Sequence, residues 1–241
     1  MPISLQERLR RLSRESGSAL FGIADLGPAH QFICGMGGQA VGEYPRAISI
    51  GMRLMDAVVD NHSPGEKPEN SLYWHHVYNV VTPALDRLSL RIALELQTEG
   101  HRAFPIPASQ PYNRETLKGV FSHKLASRLA GLGWIGKSSL LLTPDFGPRV
   151  RFTSVLTDAP LSPGFPLDTT CGNCRECVVS CPAGAIKNRE FCPDEPVEMR
   201  VNTRACAEYR VAHSCGICVA KCPRGRPGST RSRLLRPGSP G

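Results

Sequence analysis

The sequence predicts an α/β layer domain followed by a small cysteine-rich module. Helical and strand-like runs alternate as far as about residue 160, and nine of the ten cysteines fall between Cys171 and Cys222. Between the two parts, Ala159 to Asp168 is rich in Pro and Gly and reads as a linker. The expected divisions are 1–160, 161–226 and a tail, 227–241, of Pro, Gly, Ser and Arg with almost nothing to bury, expected to be disordered.

Each element has a local reason. Leu5, Leu9 and Leu12 recur at helical spacing with Glu7, Arg8 and Arg11 between them, which predicts an amphipathic first helix. Leu20 to Ala24 and Ala47 to Leu54 are short apolar runs of buried-strand type. Asn61 to Pro68 is a polar loop. Val77, Val80, Leu85, Leu88, Ile92 and Leu96 line a long helix, Leu72 to Thr98, which Pro83 kinks or splits. Arg102 to Ile106 reads as a strand. Phe121, Leu125 and Leu129 mark a helix ended by Gly131. Ser139 to Thr143 and Val150 to Leu156 are β-rich runs parted by the turn residues Pro144 to Pro148.

The 241 residues are 41% hydrophobic, enough to bury one sizeable core with a smaller module beside it. A net charge of +8 favours anionic partners: nucleic acid, a phosphorylated cofactor or an acidic redox partner. Part of that excess sits in Arg224, Arg226, Arg231, Arg233 and Arg236, in a stretch without an acid. Thiols two or three residues apart share a metal more readily than they form a disulfide scaffold. Met1 to Ser13 alternates charge with leucine and lacks the apolar region of a signal peptide. No apolar run approaches a membrane span. The expectation is a reduced, soluble, cytoplasmic protein without a membrane partner.

The cysteines form two runs. The first is Cys171-x2-Cys174-x2-Cys177-x3-Cys181-Pro182; the second is Cys206, then Cys215-x2-Cys218-x3-Cys222-Pro223. A cubane [4Fe–4S] cluster needs four converging thiolates, three from one tight loop and the fourth from elsewhere. In two-cluster ferredoxins the fourth cysteine of each run serves the other cluster. That rule gives Cys171, Cys174, Cys177 and Cys222 to one cluster and Cys181, Cys206, Cys215 and Cys218 to the other. The rival reading is structural zinc, which Cys-x2-Cys pairs also suit but which seldom shows the full run twice. Cys34 and Cys192 are left over as small apolar residues.

Gly131-Leu132-Gly133-Trp134-Ile135-Gly136-Lys137-Ser138 fits both the P-loop and the dinucleotide-binding pattern. Both motifs need a strand before and a helix after, because phosphate sits on the helix N-terminus. Here a helix precedes and a β run follows. Large Trp134 and Ile135 would also crowd a phosphate cradle. The glycines instead permit close backbone approach to a ligand, with Lys137 supplying charge and Trp134 a flat wall.

That block, with Leu140-Leu141-Leu142, Leu156-Thr157-Asp158-Ala159-Pro160-Leu161 and the order of the two cysteine runs, resembles the epoxyqueuosine reductase family. The resemblance covers roughly residues 45 to 224. It implies a nitroreductase-like α/β cobalamin module followed by a small α+β two-cluster ferredoxin-like domain. It further implies reduction of an epoxide on a tRNA queuosine precursor and kinship with corrinoid reductive dehalogenases. Electrons would come from a flavodoxin- or ferredoxin-type donor through two [4Fe–4S] clusters to cobalamin. Gly131, Gly133, Trp134, Ile135, Gly136 and Lys137 would line the corrin. Two departures stand out. The family's general-acid Asp is missing from Phe104 to Pro111, where Ser109 matches the neighbouring serine, and this puts tRNA as partner in doubt. The family also continues into a C-terminal helical domain, whereas this chain stops soon after its second run. The expectation is a short, divergent oxidoreductase with an unidentified substrate. The alternative is a non-catalytic ferredoxin-type carrier serving a partner enzyme; the missing Asp favours it, the large α/β domain does not.

Weaker catalytic candidates are Ser109, His75 and His76. The histidines stand beside Tyr73, Trp74 and Tyr78, where one could face a corrin or simply be satisfied locally. Lys124 could meet cofactor amides or phosphate, or be a solvated lysine. Ser109 and Gln110 follow a strand, where α/β domains place ligands.

Overall fold

The structure is a computed structural model that describes residues 3–226. The tail expected at 227–241 lies outside the described residues.

Helix α1 (Leu5–Glu15) begins on Ser4, whose hydroxyl accepts the Glu7 amide, and buries Leu9. Strand β1 (Leu20–Asp25) leads through the short helices α2 (His30–Gly37) and α3 (Gln39–Gly42) to β2 (Arg46–Arg53). Neither short helix was predicted, being too brief to show an apolar period. After α4 (Asp56–Asp60) the long helical segment runs as α5 (Leu72–Trp74), a π-helical turn (His75–Val81) and α6 (Thr82–Thr98). The segment changes from π to α geometry immediately ahead of Pro83. Lacking an amide, Pro83 cannot close the usual bond to Asn79, and the register slips by one residue. The Thr82 amide donates to the Val77 carbonyl five residues back, and the Thr82 hydroxyl adds a bond of 2.8 Å to the same oxygen.

The remaining elements are β3 (Ala103–Ile106), α7 (His123–Leu129), β4 (Trp134–Ile135), β5 (Leu141–Leu142), β6 (Val150–Thr157), α8 (Glu176–Val179), α9 (Thr203–Ala212) and α10 (Ile217–Ala220). Helix α7 starts at His123 rather than Phe121, because the Ser122 hydroxyl accepts the Leu125 amide as its cap.

The fold is α/β. Its main sheet is antiparallel throughout, in the order β1-β2-β6-β3. Alternate side chains enter different cores. Ile48, Ile50 and Val155 meet Leu85, Leu88, Ile92 and Leu96 of α6 on one face. Ala47, Ile106 and Leu156 meet Ala126 and Leu129 of α7 on the other. Both faces are covered, so the strands read as nearly continuous apolar runs. Val219 and Ala220 of α10 join the α6 core beside Tyr73, which docks the second cysteine run onto the sheet domain.

Candidate metal centre

The glycine block forms the β4–β5 hairpin. Its turn, residues 136–139, closes with bonds from Gly136 to Leu140 and from Ser139 to Gly136. No helix follows, so no helix N-terminus is offered to phosphate. The resemblance places these residues against a corrin; at two of the glycines the chain's own backbone comes close. A Cβ on Gly131, which has φ +73°, would lie 2.4 Å from the Phe165 carbonyl oxygen, and one on Gly133 would lie 2.1 Å from that of Leu142. Ile135 packs on Leu141 and Phe152.

Lys137 points into the first cysteine loop. Its ammonium is buried and donates to the carbonyls of Gly172 (2.7 Å) and Cys174 (3.1 Å) and to the Asn188 side chain (3.0 Å). Glu190 balances its charge at 3.7 Å while accepting the Cys171 amide. Gly136 leaves room for sulfur, since a Cβ there would stand 3.0 Å from Cys171 Sγ. Trp134 packs against Leu142 and Cys222 beside Cys171. Its buried indole N–H makes no hydrogen bond that satisfies strict geometry. Burial pushes the Cys171 thiol up, with the Lys137 amide and the Trp134 indole pulling it down.

The fold brings the cysteines together in two groups. Burial, then Cys171 and Cys174, push Cys177 up to about 11. Cys222 is pushed up to about 11 by burial and by Cys171, Cys177 and Cys174. In the other group Cys218 is pushed up by burial and then by Cys215, Cys206, Cys177 and Cys181. Burial and Cys215 and Cys181 likewise raise Cys206. Cys177, Cys181 and Cys218 pack against one small apolar cluster. Buried thiols that oppose one another's ionisation suit a cationic metal body. A cavity of about 750 Å³ opens at Cys171, Cys174, Cys177 and Cys222 and reaches Cys218. Among the described residues, no three His, Cys, Asp or Glu side chains converge where one ion would sit, as zinc requires.

The second cysteine loop is held by residues that no spacing pattern reveals. His62 is buried, accepts the Gly216 amide at 3.0 Å and stacks on Tyr73 at 4.5 Å; burial pushes its pKa down. The Tyr73 ring fills the space where Gly216 lacks a side chain.

Near this loop stand Lys124 and the polar side chains around it. Lys124 is exposed by area yet surrounded deeply enough that burial, then Arg200, push its pKa down while Cys218 and Cys206 pull it up. Its ammonium donates to the Ser139 carbonyl at 2.8 Å. His123 is pushed down to about 4 by burial and sits between Ser154 Oγ and the Pro107 carbonyl. Arg151 donates to the Ser109 hydroxyl and lies 4.7 Å from the Tyr78 ring centre. Gln110 is a strut, gripping both backbone polar groups of Phe121. His76 accepts the Met55 amide ahead of α4, and exposed His75 meets Asn79. Cys34 lies beside His30, and Cys192 lies near Arg200; neither joins the two groups.

No family model matches the sequence. An epoxyqueuosine reductase from Listeria monocytogenes is 30% identical over 125 residues, which is 45% of this chain and 31% of that protein. The chain thus covers about a third of the curated relative it matches. A solved reductive dehalogenase, whose title concerns B12-dependent dehalogenation, superposes with TM-score 0.73 at 20% identity over 93% of this chain and 32% of its own. The epoxyqueuosine reductase of Streptococcus thermophilus gives TM-score 0.59 at 18% identity over 94% of this chain and 68% of its own. At such identities the two structures show a shared fold. Among the described residues, no helix is long and apolar enough to cross a membrane.

Proposed function

We propose that this relative of epoxyqueuosine reductases and reductive dehalogenases is an iron–sulfur oxidoreductase that reduces an unidentified substrate at a corrinoid. Cys171, Cys174, Cys177 and Cys222 hold one [4Fe–4S] cluster and Cys181, Cys206, Cys215 and Cys218 the other. What supports this reading is that Cys222 lines the same cavity as Cys171, Cys174 and Cys177, while Cys181 is near enough to raise the Cys215 pKa. The clusters supply one-electron transfer, and a corrinoid would supply the strongly reducing metal.

The chain's own residues fit these tasks. Lys137 fixes the first loop from behind, while His62 and Tyr73 fix the second. Cys177, Cys181 and Cys218 pack on one small apolar cluster, which would keep the two sites close. Lys124 stands near Cys206 and Cys218 with its ammonium on the Ser139 carbonyl. Ser109 is engaged by Arg151 and does not stand as an isolated acid. A flavodoxin- or ferredoxin-type protein is the proposed donor.

Anaerobic protein incubated with cobalamin tests the reading. The expected product holds about eight irons with equal labile sulfide and one corrin whose spectrum changes when the clusters are reduced. Zinc in place of iron would end the cluster reading. Clusters without corrin would leave the carrier reading. Turnover of epoxyqueuosine-modified tRNA against organohalides then sorts the substrate class.

A further inference from the structure

Trp134 is 5% exposed, and its indole nitrogen is buried without a hydrogen-bond partner. A buried tryptophan N–H ordinarily finds a partner, because desolvating an unpaired donor is unfavourable. The ring is fixed on one side by Leu142 and Cys222, and the Arg224 guanidinium stands 5.9 Å from its centre. It lines the cavity bounded by the first group of cysteines, and Cys171 packs in the same small cluster. Gly136 clears the space that a side chain would take from the Cys171 sulfur.

We propose that the Trp134 indole N–H is the hydrogen-bond donor to the Cys171 thiolate of the first cluster and raises that cluster's reduction potential. This rests on the two-cluster reading above. Reduction adds one negative charge, spread over irons and thiolates. A donor aimed at a thiolate stabilises the more negative state more, so it favours the reduced cluster. No other group of the chain takes the proton, which leaves it for a ligand sulfur of the bound cluster.

The test uses the complete, anaerobically purified holoprotein. Trp134→Phe keeps the flat apolar wall and removes the N–H. Paramagnetic-resonance titration should show one cluster becoming harder to reduce by about tenfold in equilibrium constant, about 59 mV for one electron, with the other unmoved. Cys174→Ala identifies which signal belongs to the first cluster. Two unshifted potentials in a fully loaded variant would overturn the proposal. Should the variant not load iron, the unaltered protein still decides. With 15N-labelled tryptophan, double-resonance spectra of the reduced first cluster should show an indole nitrogen and its exchangeable proton, and absence of that coupling overturns the idea. A preparation of the unaltered protein without iron or labile sulfide would instead bring down the cluster reading itself.

Discussion

Lys137→Met separates a loop clamp from a corrin contact. The substitution keeps the length and apolar stem of the side chain and removes a buried charge that three acceptors share. The carbonyls of Gly172 and Cys174 would lose their donor, and Glu190 would lose its counter-charge beside Cys171. A hydrogen bond to a charged group contributes about 1.5–3 kcal/mol. The three do not add, and breaking one buried charged cluster costs about 3–5 kcal/mol in total. That is a large share of the stability of a typical domain, about 5–15 kcal/mol. The loop carrying three of the first cluster's four ligands should loosen, so iron and labile sulfide should fall toward half. The urea midpoint should drop in step. Lys137→Arg keeps the charge but not the compact three-way geometry, and should lie between. The measurements are metal and sulfide content of oxygen-free protein and equilibrium denaturation. Full loading with an unchanged midpoint would refute the clamp, and a variant that lost only corrin would put Lys137 on the cofactor.

Three further outcomes are expected. Cys174→Ala should lose about half the iron and keep one cluster signal, read by metal analysis and paramagnetic resonance; full iron retention would contradict the ligand assignment. Gly133→Ala should destabilise the chain by about 2–3 kcal/mol, because the new Cβ would lie 2.1 Å from the Leu142 carbonyl oxygen, and an unshifted Tm would contradict that packing. His123, whose pKa falls from 6.5 to about 4 on folding, gives a pH dependence. Between those values the unfolded chain binds a proton that the folded chain does not, so this contribution to stability weakens as pH drops from 6.5 toward 4, by up to about 3 kcal/mol before solvent screening. The difference in unfolding free energy between the parent and His123→Gln should carry that slope, and a flat difference would rule it out.

The gathering of the cysteines was legible because thiols two or three residues apart necessarily share one loop. The rejection of a phosphate loop was legible too, since it needs only the order of helix and strand. What approaches the glycines was not: the carbonyls of Leu142 and Phe165 arrive from other segments, and a glycine pattern records that something comes close, never what. Lys137 shows the same limit. Its charge suggested a ligand, but its partner is a cysteine loop 35 residues away. His62 and Gly216 lie 154 residues apart, and a single histidine in a polar loop carries no sign of that contact. Pro83 announced a disturbance, while the choice of a π turn over a break was made by continued packing of α6.

Strand β6 lies between β2 and β3, joining Arg46 to Thr157 and Ala103 to the same residue. A chain made from its N-terminus can pair β1 with β2 early, yet β3 has no neighbour until residue 157 has been synthesised. All eight proposed sulfur ligands come later still. Topology thereby lets the four-stranded sheet close before any of these thiols is made, while the α6 core still awaits Val219 and Ala220 from the second cysteine run.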